Sequence, residues 1–272
     1  MFAIRPLTTL EDCRRVVELE KQVWGYTDAE DVVPVPILMV TVRRGGILLG
    51  AFDEAGEMAG FVYSLPAIKH GRPTQWSHML GVLPHARNAG LGRRLKLEQR
   101  RAALAMGLDL IEWTFDPLQA LNAHFNFARL GVVAEEYEVN IYGESSSPLH
   151  RGTPTDRLVA EWHLTSPRVV ERIERTEAPG GPAPDLPVVN RLEPGPDWPA
   201  CGAADLARAE PRIGVDIPTG FTELQAARPD LALAWRLATR EIFTAYLARG
   251  YRVVDFHLLG GERRGRYVLS RE

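Results

Sequence analysis

Cysteine is scarce in this chain: 272 residues contain two, Cys13 and Cys201, far apart in sequence. No C-x-x-C pair and no His/Cys grouping at zinc-ligand spacing occurs, so a disulfide framework is excluded and no metal is expected. Free thiols in a reducing compartment are the simplest expectation. Long apolar runs are missing too, none approaching the ~18 residues that cross a bilayer, and the opening Met-Phe-Ala-Ile-Arg-Pro lacks the charged and apolar regions of a signal peptide. A cytoplasmic protein with no membrane partner is expected. Charge of one sign is also in short supply: Lys plus Arg number 32 against 35 for Asp plus Glu, a formal net charge of −3. So small a field does not gather nucleic acid, and any phosphate-bearing ligand must be held locally.

What is present is ordinary globular material, with 45% apolar and 25% charged residues. A chain of this length buries roughly three quarters of its unfolded surface, as one large domain or two smaller ones.

Residues 2–5 read as a strand stopped by Pro6, and Thr8 or Thr9 can cap a helix carrying Cys13, Val16, Val17, Leu19 and Val23, ended at Trp24-Gly25. A hairpin spans 46–65 around Asp53-Glu54-Ala55-Gly56-Glu57. Residues 75–83 form another strand, in which Gly81 suggests a bulge or a close backbone approach. A helix over 89–106 follows, with Leu91, Leu95, Ala102 and Met106 on one stripe and Arg93, Arg94, Lys96, Arg100 and Arg101 largely off it. Then come a buried strand (108–115), a helix from Pro117 to Leu130 capped by Gly131, and two strands (132–142 and 157–164) joined by a polar loop. Alternation of this kind implies an α/β fold, a mixed sheet flanked by helices.

Beyond about residue 166 the texture changes. Seven prolines between Glu177 and Ala200 predict an extended linker or strap. A helix (231–249), Gly250-Tyr251, a strand (252–258), a turn at Gly260-Gly261 and a last strand (266–269) complete a smaller α+β extension. Its order resembles residues 118–164, a half-repeat.

The stretch Val82-Leu83-Pro84-His85-Ala86-Arg87-Asn88-Ala89-Gly90-Leu91-Gly92-Arg93-Arg94 delivers a strand end to a helix start. Unpaired N–H groups and the helix dipole make such a start an anion site; Gly90 and Gly92 admit phosphate oxygens, and Arg87, Arg93 and Arg94 can add charge. A plain strand-to-helix turn with solvated arginines is the alternative. Two nucleotide motifs fail: Leu95 stands where a dinucleotide fingerprint needs a small residue, and the Gly-Lys-Ser/Thr of a P-loop does not occur.

The pattern Val82-x-Pro84-x-x-Arg87-x-x-Gly90-x-Gly92 resembles the acyl-CoA pyrophosphate loop of the GNAT superfamily of N-acyltransferases. Ser77 to Val82, Trp113 to Leu118 and Asn122 to Asn126 look like a bacterial branch of GNAT acetyltransferases. The resemblance covers about 1–165, and implies a GNAT-like acyl-CoA-binding catalytic domain there, followed by a Pro-rich linker and extension over 166–272. It implies that Leu80, Gly81 and Val82 pair with the pantetheine arm, that Arg87, Asn88, Ala89, Gly90, Leu91, Gly92 and Arg93 hold the pyrophosphate, and that the strands over 76–83 and 109–115 splay into a slot for the arm. Acetyl-CoA, or another acyl-CoA such as succinyl-CoA with Arg72 meeting its carboxylate, is the implied co-substrate. The implied acceptor is a small-molecule amine, and a homodimer is possible.

Transfer to an amine needs a base, an oxyanion site and protonation of the departing thiolate. His78 lies two residues before Leu80 on the same strand face, so it can look into the slot, and has a suitable pKa; Glu112 and Asp116 compete for the role, although Asp116 can equally cap the next helix. Asn122 and Asn126, at i and i+4, share a helix face and can hydrogen-bond pantetheine amides, or simply be solvated. Many GNAT proteins carry a tyrosine four residues before the glycine that ends this helix. Phe127 stands there instead, leaving Tyr137, Tyr142, His124 or water to protonate the thiolate, or no donor at all. That departure leaves a non-catalytic acyl-CoA-binding protein as the rival reading. Trp24, Tyr26, Tyr63 and Trp162 are expected mainly in packing.

Overall fold

The computed structural model describes residues 2–87, 89–143, 152–175, 183–195, 197–260 and 263–272. They divide into two compact units, one through residue 113 and one from residue 114 onward.

The first unit begins with β1 (Ala3–Pro6) and α1 (Leu10–Trp24). Thr9 and Asp12 form a reciprocal capping box at the start of α1, and Gly25, with φ 66°, closes it in the left-handed conformation. Next come α2 (Val35–Arg43), β2 (Ile47–Phe52), β3 (Met58–Lys69), β4 (Arg72–Val82), α3 (Leu91–Ala105) and β5 (Leu110–Phe115), whose last two residues belong to the second unit. The strand order is β1-β2-β3-β4-β5; β1 to β4 pair antiparallel, and β4 and β5 pair parallel. It is therefore a mixed sheet flanked by helices, as the alternation predicted. α1 and α2 cover one face, burying Cys13, Val16, Leu19 and Leu38 against Leu48, Phe61, Tyr63 and Met79. α3 covers the other, and its buried stripe is Leu91, Leu95, Gln99 and Ala103 with Lys96 beside it. This corrects the sequence reading, which put Lys96 off the apolar stripe and Met106 on it; Lys96 is buried and Met106 exposed.

The second unit contains α4 (Ala120–His124), a π-helical turn (Phe125–Leu130), β6 (Val133–Glu138), β7 (Arg157–His163), α5 (Pro167–Glu174), β8 (Asn190–Glu193), β9 (Ala200–Ala204), β10 (Arg212–Pro218), α6 (Phe221–Ala227), α7 (Pro229–Ala248), β11 (Arg252–Leu259) and β12 (Arg264–Ser270). β7-β6-β11-β12-β10 is an antiparallel array, and β8 pairs with β9 separately. The half-repeat takes physical form here. Helix, left-handed glycine (Gly131 or Gly250) and antiparallel strand pair occur twice, and the two copies meet at β6 and β11, where Ala134 pairs with Val253. The proline-rich segment is a strap where described: Gly214 N–H donates to Pro187 O, and Val189 N–H donates to Gly214 O.

Candidate functional site

β4 positions the site. Its ladder with β5 pairs Gln75 with Ile111 and Trp76 with Glu112 and ends there. Ser77 on β4 and Trp113 on β5 are thus the first residues past the last rung, at the closed end of a slot. β4 stays paired to β3 through Val82, its odd-numbered residues turned toward β3, as the Leu83 N–H to Ala59 O bond at 2.9 Å requires. Strand alternation then turns the backbone groups of Leu80 and Val82 toward the slot. One is already engaged: Arg87 Nε donates to Val82 O at 3.1 Å, folding this guanidinium back on the strand end.

The register slips at Tyr63/Ser64, opposite Met79 and Ser77, so His78 is the extra residue of a β-bulge. The expected bulge is real, but it sits three residues before Gly81. Gly81 has a packing cause: a Cβ there would lie 2.9 Å from the Phe61 ring and 3.1 Å from Trp24. The bulge also changes the faces. Leu80 looks toward α3, its Cδ2 3.9 Å from where a Gly92 Cβ would be, whereas the exposed His78 packs edge-on to Tyr63, ring centroids 6.2 Å apart, toward α1 and α2. His78 and Leu80 therefore do not share a face. Partial desolvation by the protein atoms around the ring lowers the His78 pKa from the ordinary 6.5.

After a single 3-10 turn (Pro84–Ala86) the chain reaches α3. Gly90 is its N-cap, left-handed at φ 71°, with no side-chain cap. Among the described residues, chain neighbours and the helix's own backbone aside, a Cβ at Gly90 would have nothing within 4 Å, and one at Gly92 would have only Leu80, at 3.9 Å. The result is a helix start with uncapped N–H groups and open space above two glycines, which is what an anion needs. Ala89 is exposed and Leu91 is buried beneath the turn. Arg94 is drawn off, donating to Phe2 O at 2.7 Å. Asn88 lies outside the described residues.

Two buried ionisable groups border this sheet, and the sequence offered neither as a site residue. Glu20 on α1 is fully buried; its Oε2 accepts Val33 N–H at 2.9 Å, its Oε1 has no partner, and burial pushes its pKa up to about 7. Tyr63, which donates to Thr41 at 2.9 Å, feels the Glu20 charge. Lys96 on α3 is 3% exposed, with Nζ 2.9 Å from Ser77 Oγ, 3.1 Å from Gln99 Oε1 and 3.6 Å above the Trp113 ring. Desolvation holds its pKa well below the usual lysine value. Both were hidden because an acidic or basic residue inside an amphipathic pattern reads as solvent-facing until the packing is known.

The remaining candidates have partners of their own. Glu112 is buried and ion-paired with Lys69 at 2.9 Å. In the second unit, Asp116 accepts two hydrogen bonds from the buried Arg236, at 2.6 and 2.7 Å, and one from Leu118 N–H at 2.9 Å. Arg236 and these hydrogen bonds outweigh its burial and hold its carboxyl below the usual range. Asp116 thus closes the turn before α4 and is matched by a buried counter-ion; it does not cap the helix, which starts at Ala120 with Gln119 as its N-cap and no side-chain cap. Asn126 is buried and donates to the exposed Asn122 at 3.4 Å. Phe127 lies edge-on to Phe115 and Tyr267, wholly buried. Of the alternative proton donors, Tyr137 donates to the buried Asp156 at 2.9 Å, and burial with that carboxylate raises its pKa strongly. The Tyr142 hydroxyl is 2.6 Å from Thr114 Oγ1, and His124 has a pKa lowered by burial.

No protein-family model matches the chain. No curated protein matches it either. Solved structures are similar to it in three dimensions. A GNAT-family acetyltransferase from Streptococcus pneumoniae is 19% identical, with 59% of this chain and 98% of that one covered and a TM-score of 0.48. The ribosomal-protein-S18-alanine N-acetyltransferase of Escherichia coli is 14% identical over 61% and 96%, at 0.49. An N-acetyltransferase from Thermoplasma acidophilum, in complex with coenzyme A, is 16% identical over 60% and 99%, at 0.40.

Proposed function

We propose that the chain is an acyl-CoA-dependent N-acyltransferase that moves an acyl group, acetyl first among the choices, to the amine of a small molecule by direct attack in a ternary complex. The observation that carries this reading is the junction of β4 and α3. There a strand that parts from its parallel neighbour runs into an uncapped helix start with two glycines under open space. The unpaired N–H groups of Leu91 and Gly92 and the helix dipole would hold the pyrophosphate, with Arg93 near it. Leu80 and Val82 would bond the pantetheine amides as a strand would, and a slot-facing N–H there would polarise the thioester oxygen.

The acceptor amine must lose a proton before attack. His78 and Glu20, both on the α1/α2 side, suit that step, and the pH dependence of kcat/KM tells them apart. With Glu20 the acidic limb falls near its pKa of about 7; with His78 it falls below 6.5. A second reading, an acyl-CoA-binding protein without transfer, is favoured by Phe127, whose buried ring has no proton for the leaving thiolate. The test is thiol release from acetyl-CoA and succinyl-CoA over a panel of amines, with ligand-induced thermal stabilisation measured alongside. Release on any amine supports the enzyme. Stabilisation without release supports the binding protein, and neither effect contradicts both readings.

A further inference from the structure

A lysine without a carboxylate partner is an expensive thing to bury, and Lys96 is buried almost completely. Its contacts are a serine hydroxyl, a glutamine amide and an indole ring, none of them anionic. Its position is as notable as its charge state. Ser77 and Trp113, the residues it touches, are the first on β4 and β5 beyond their last paired rung. α3 runs back along β4 from the glycine turn, with Gly92 beside Leu80 and Lys96 beside Ser77. An arm laid from Gly92 past Val82 and Leu80 therefore has its reactive end directed at Ser77 and the Lys96 amine. A neutral amine there can give its two N–H bonds to the Gln99 carbonyl and the Trp113 face, leaving its lone pair on the Ser77 side.

We propose that Lys96 Nζ is an acyl acceptor within the chain, taking the acyl group from acyl-CoA bound along β4 to become an amide-linked N-acyl-lysine. The inference rests on the acyl-CoA reading above. In the step, the amine lone pair forms a C–N bond to the thioester carbonyl carbon, the C–S bond breaks and its electron pair leaves on the CoA sulfur. The proton lost by nitrogen passes to that thiolate, directly or through the Ser77 hydroxyl, to give free CoA. No oxidant, reductant or further reactant is needed. The product suits the site, because an amide is as uncharged as the amine it replaces and keeps an N–H for Gln99.

The test incubates the full chain with acetyl-CoA and follows intact mass and peptide mapping, with acetyl-CoA-induced thermal stabilisation measured in the same samples. The expected result is one acetyl group per chain, located on Lys96. Its rate should climb less steeply with pH than acylation of an exposed lysine, which rises about tenfold per pH unit as its amine deprotonates. Lys96→Arg, which cannot form this amide, should lose the label; the wild-type peptide map stands by itself should that variant not fold. Stabilisation by acetyl-CoA with Lys96 unlabelled overturns the proposal and leaves the acyl-CoA reading intact. Label spread over exposed lysines and climbing with pH overturns it equally. No stabilisation and no label overturns both.

Discussion

The two units differ in what they leave unmatched among their buried charges. In the second, buried carboxylates are matched by guanidinium groups: Asp116 by Arg236, Asp156 by Arg240 at 2.8 and 2.9 Å, and Asp216 by Arg264 at 2.7 Å and Arg266 at 2.6 Å. All four of these arginines come from the last 37 residues, on α7 and β12, C-terminal to the proline-rich strap. The first unit also pairs buried Glu112 with Lys69 and Asp12 with Arg5, but among the described residues one oxygen of Glu20 has no partner and Lys96 has no carboxylate partner. Matched pairs hold their ionised forms and confer little chemistry, while an unmatched buried group is pushed toward neutrality and becomes a proton acceptor or nucleophile near pH 7. The contrast assigns scaffold work to the paired groups and reactivity to the unpaired ones.

Breaking a matched pair should have the largest effect. Asp116→Ala leaves Arg236 buried without a counter-charge and is expected to cost about 3–5 kcal/mol in urea unfolding, where a loss under 1 kcal/mol would mean that the ion pair is not the anchor it looks like. Correcting an unmatched group should do the reverse. In the folded chain the Glu20 pKa is raised from 4.5 to about 7, so the folded form binds the extra proton and Glu20 favours folding below pH 4.5, an advantage lost as pH rises through about 7. Glu20→Gln should therefore stabilise the protein above that pH by up to about 3 kcal/mol and have little effect in acid. A stability gain independent of pH would contradict this assignment.

Lys96→Met extends the same logic with the opposite slope. Folding keeps this amine neutral while the unfolded chain protonates it, so wild-type stability rises with pH up to the ordinary lysine pKa of 10.5. The variant should melt higher than wild type near neutral pH, and its advantage should shrink in alkali; a lower melt at every pH would show the amine contacts to be net stabilising. The smallest effect on folding separates the glycines. Gly90→Ala should cost about 1 kcal/mol for the left-handed backbone, whereas Gly92→Val should leave the melt nearly unchanged, because φ is ordinary there and the nearest atom stands 3.9 Å from a Cβ.

How much of this was legible depended on what each residue advertises locally. Gly90, Gly92, Gly25 and Gly131 mark turns wherever they occur, so the helix starts and stops around them could be read directly, as could the helix-strand-strand repeat that meets at β6 and β11. α2 was not read, because Val35-Pro36-Ile37-Leu38-Met39-Val40 has strand-forming residues, and Pro36 signals a helix only if it is taken as the first turn. The bulge at His78 needed no glycine and left no trace, yet it reversed which side chains share a face. Glu20 and Lys96 look like any charged residues of an amphipathic helix. Only the packing of α1 and α3 on the sheet shows that each points inward.

The most direct test of the account is a titration of acetyl-CoA into wild type and Gly92→Val, followed by calorimetry with the thermal melt as a folding control. The helix-start cradle predicts that wild type binds and that the variant, melting alike, binds at least about tenfold more weakly, the loss of about 1.4 kcal/mol or more. Equal affinity in the two proteins, or no binding by wild type, would contradict it.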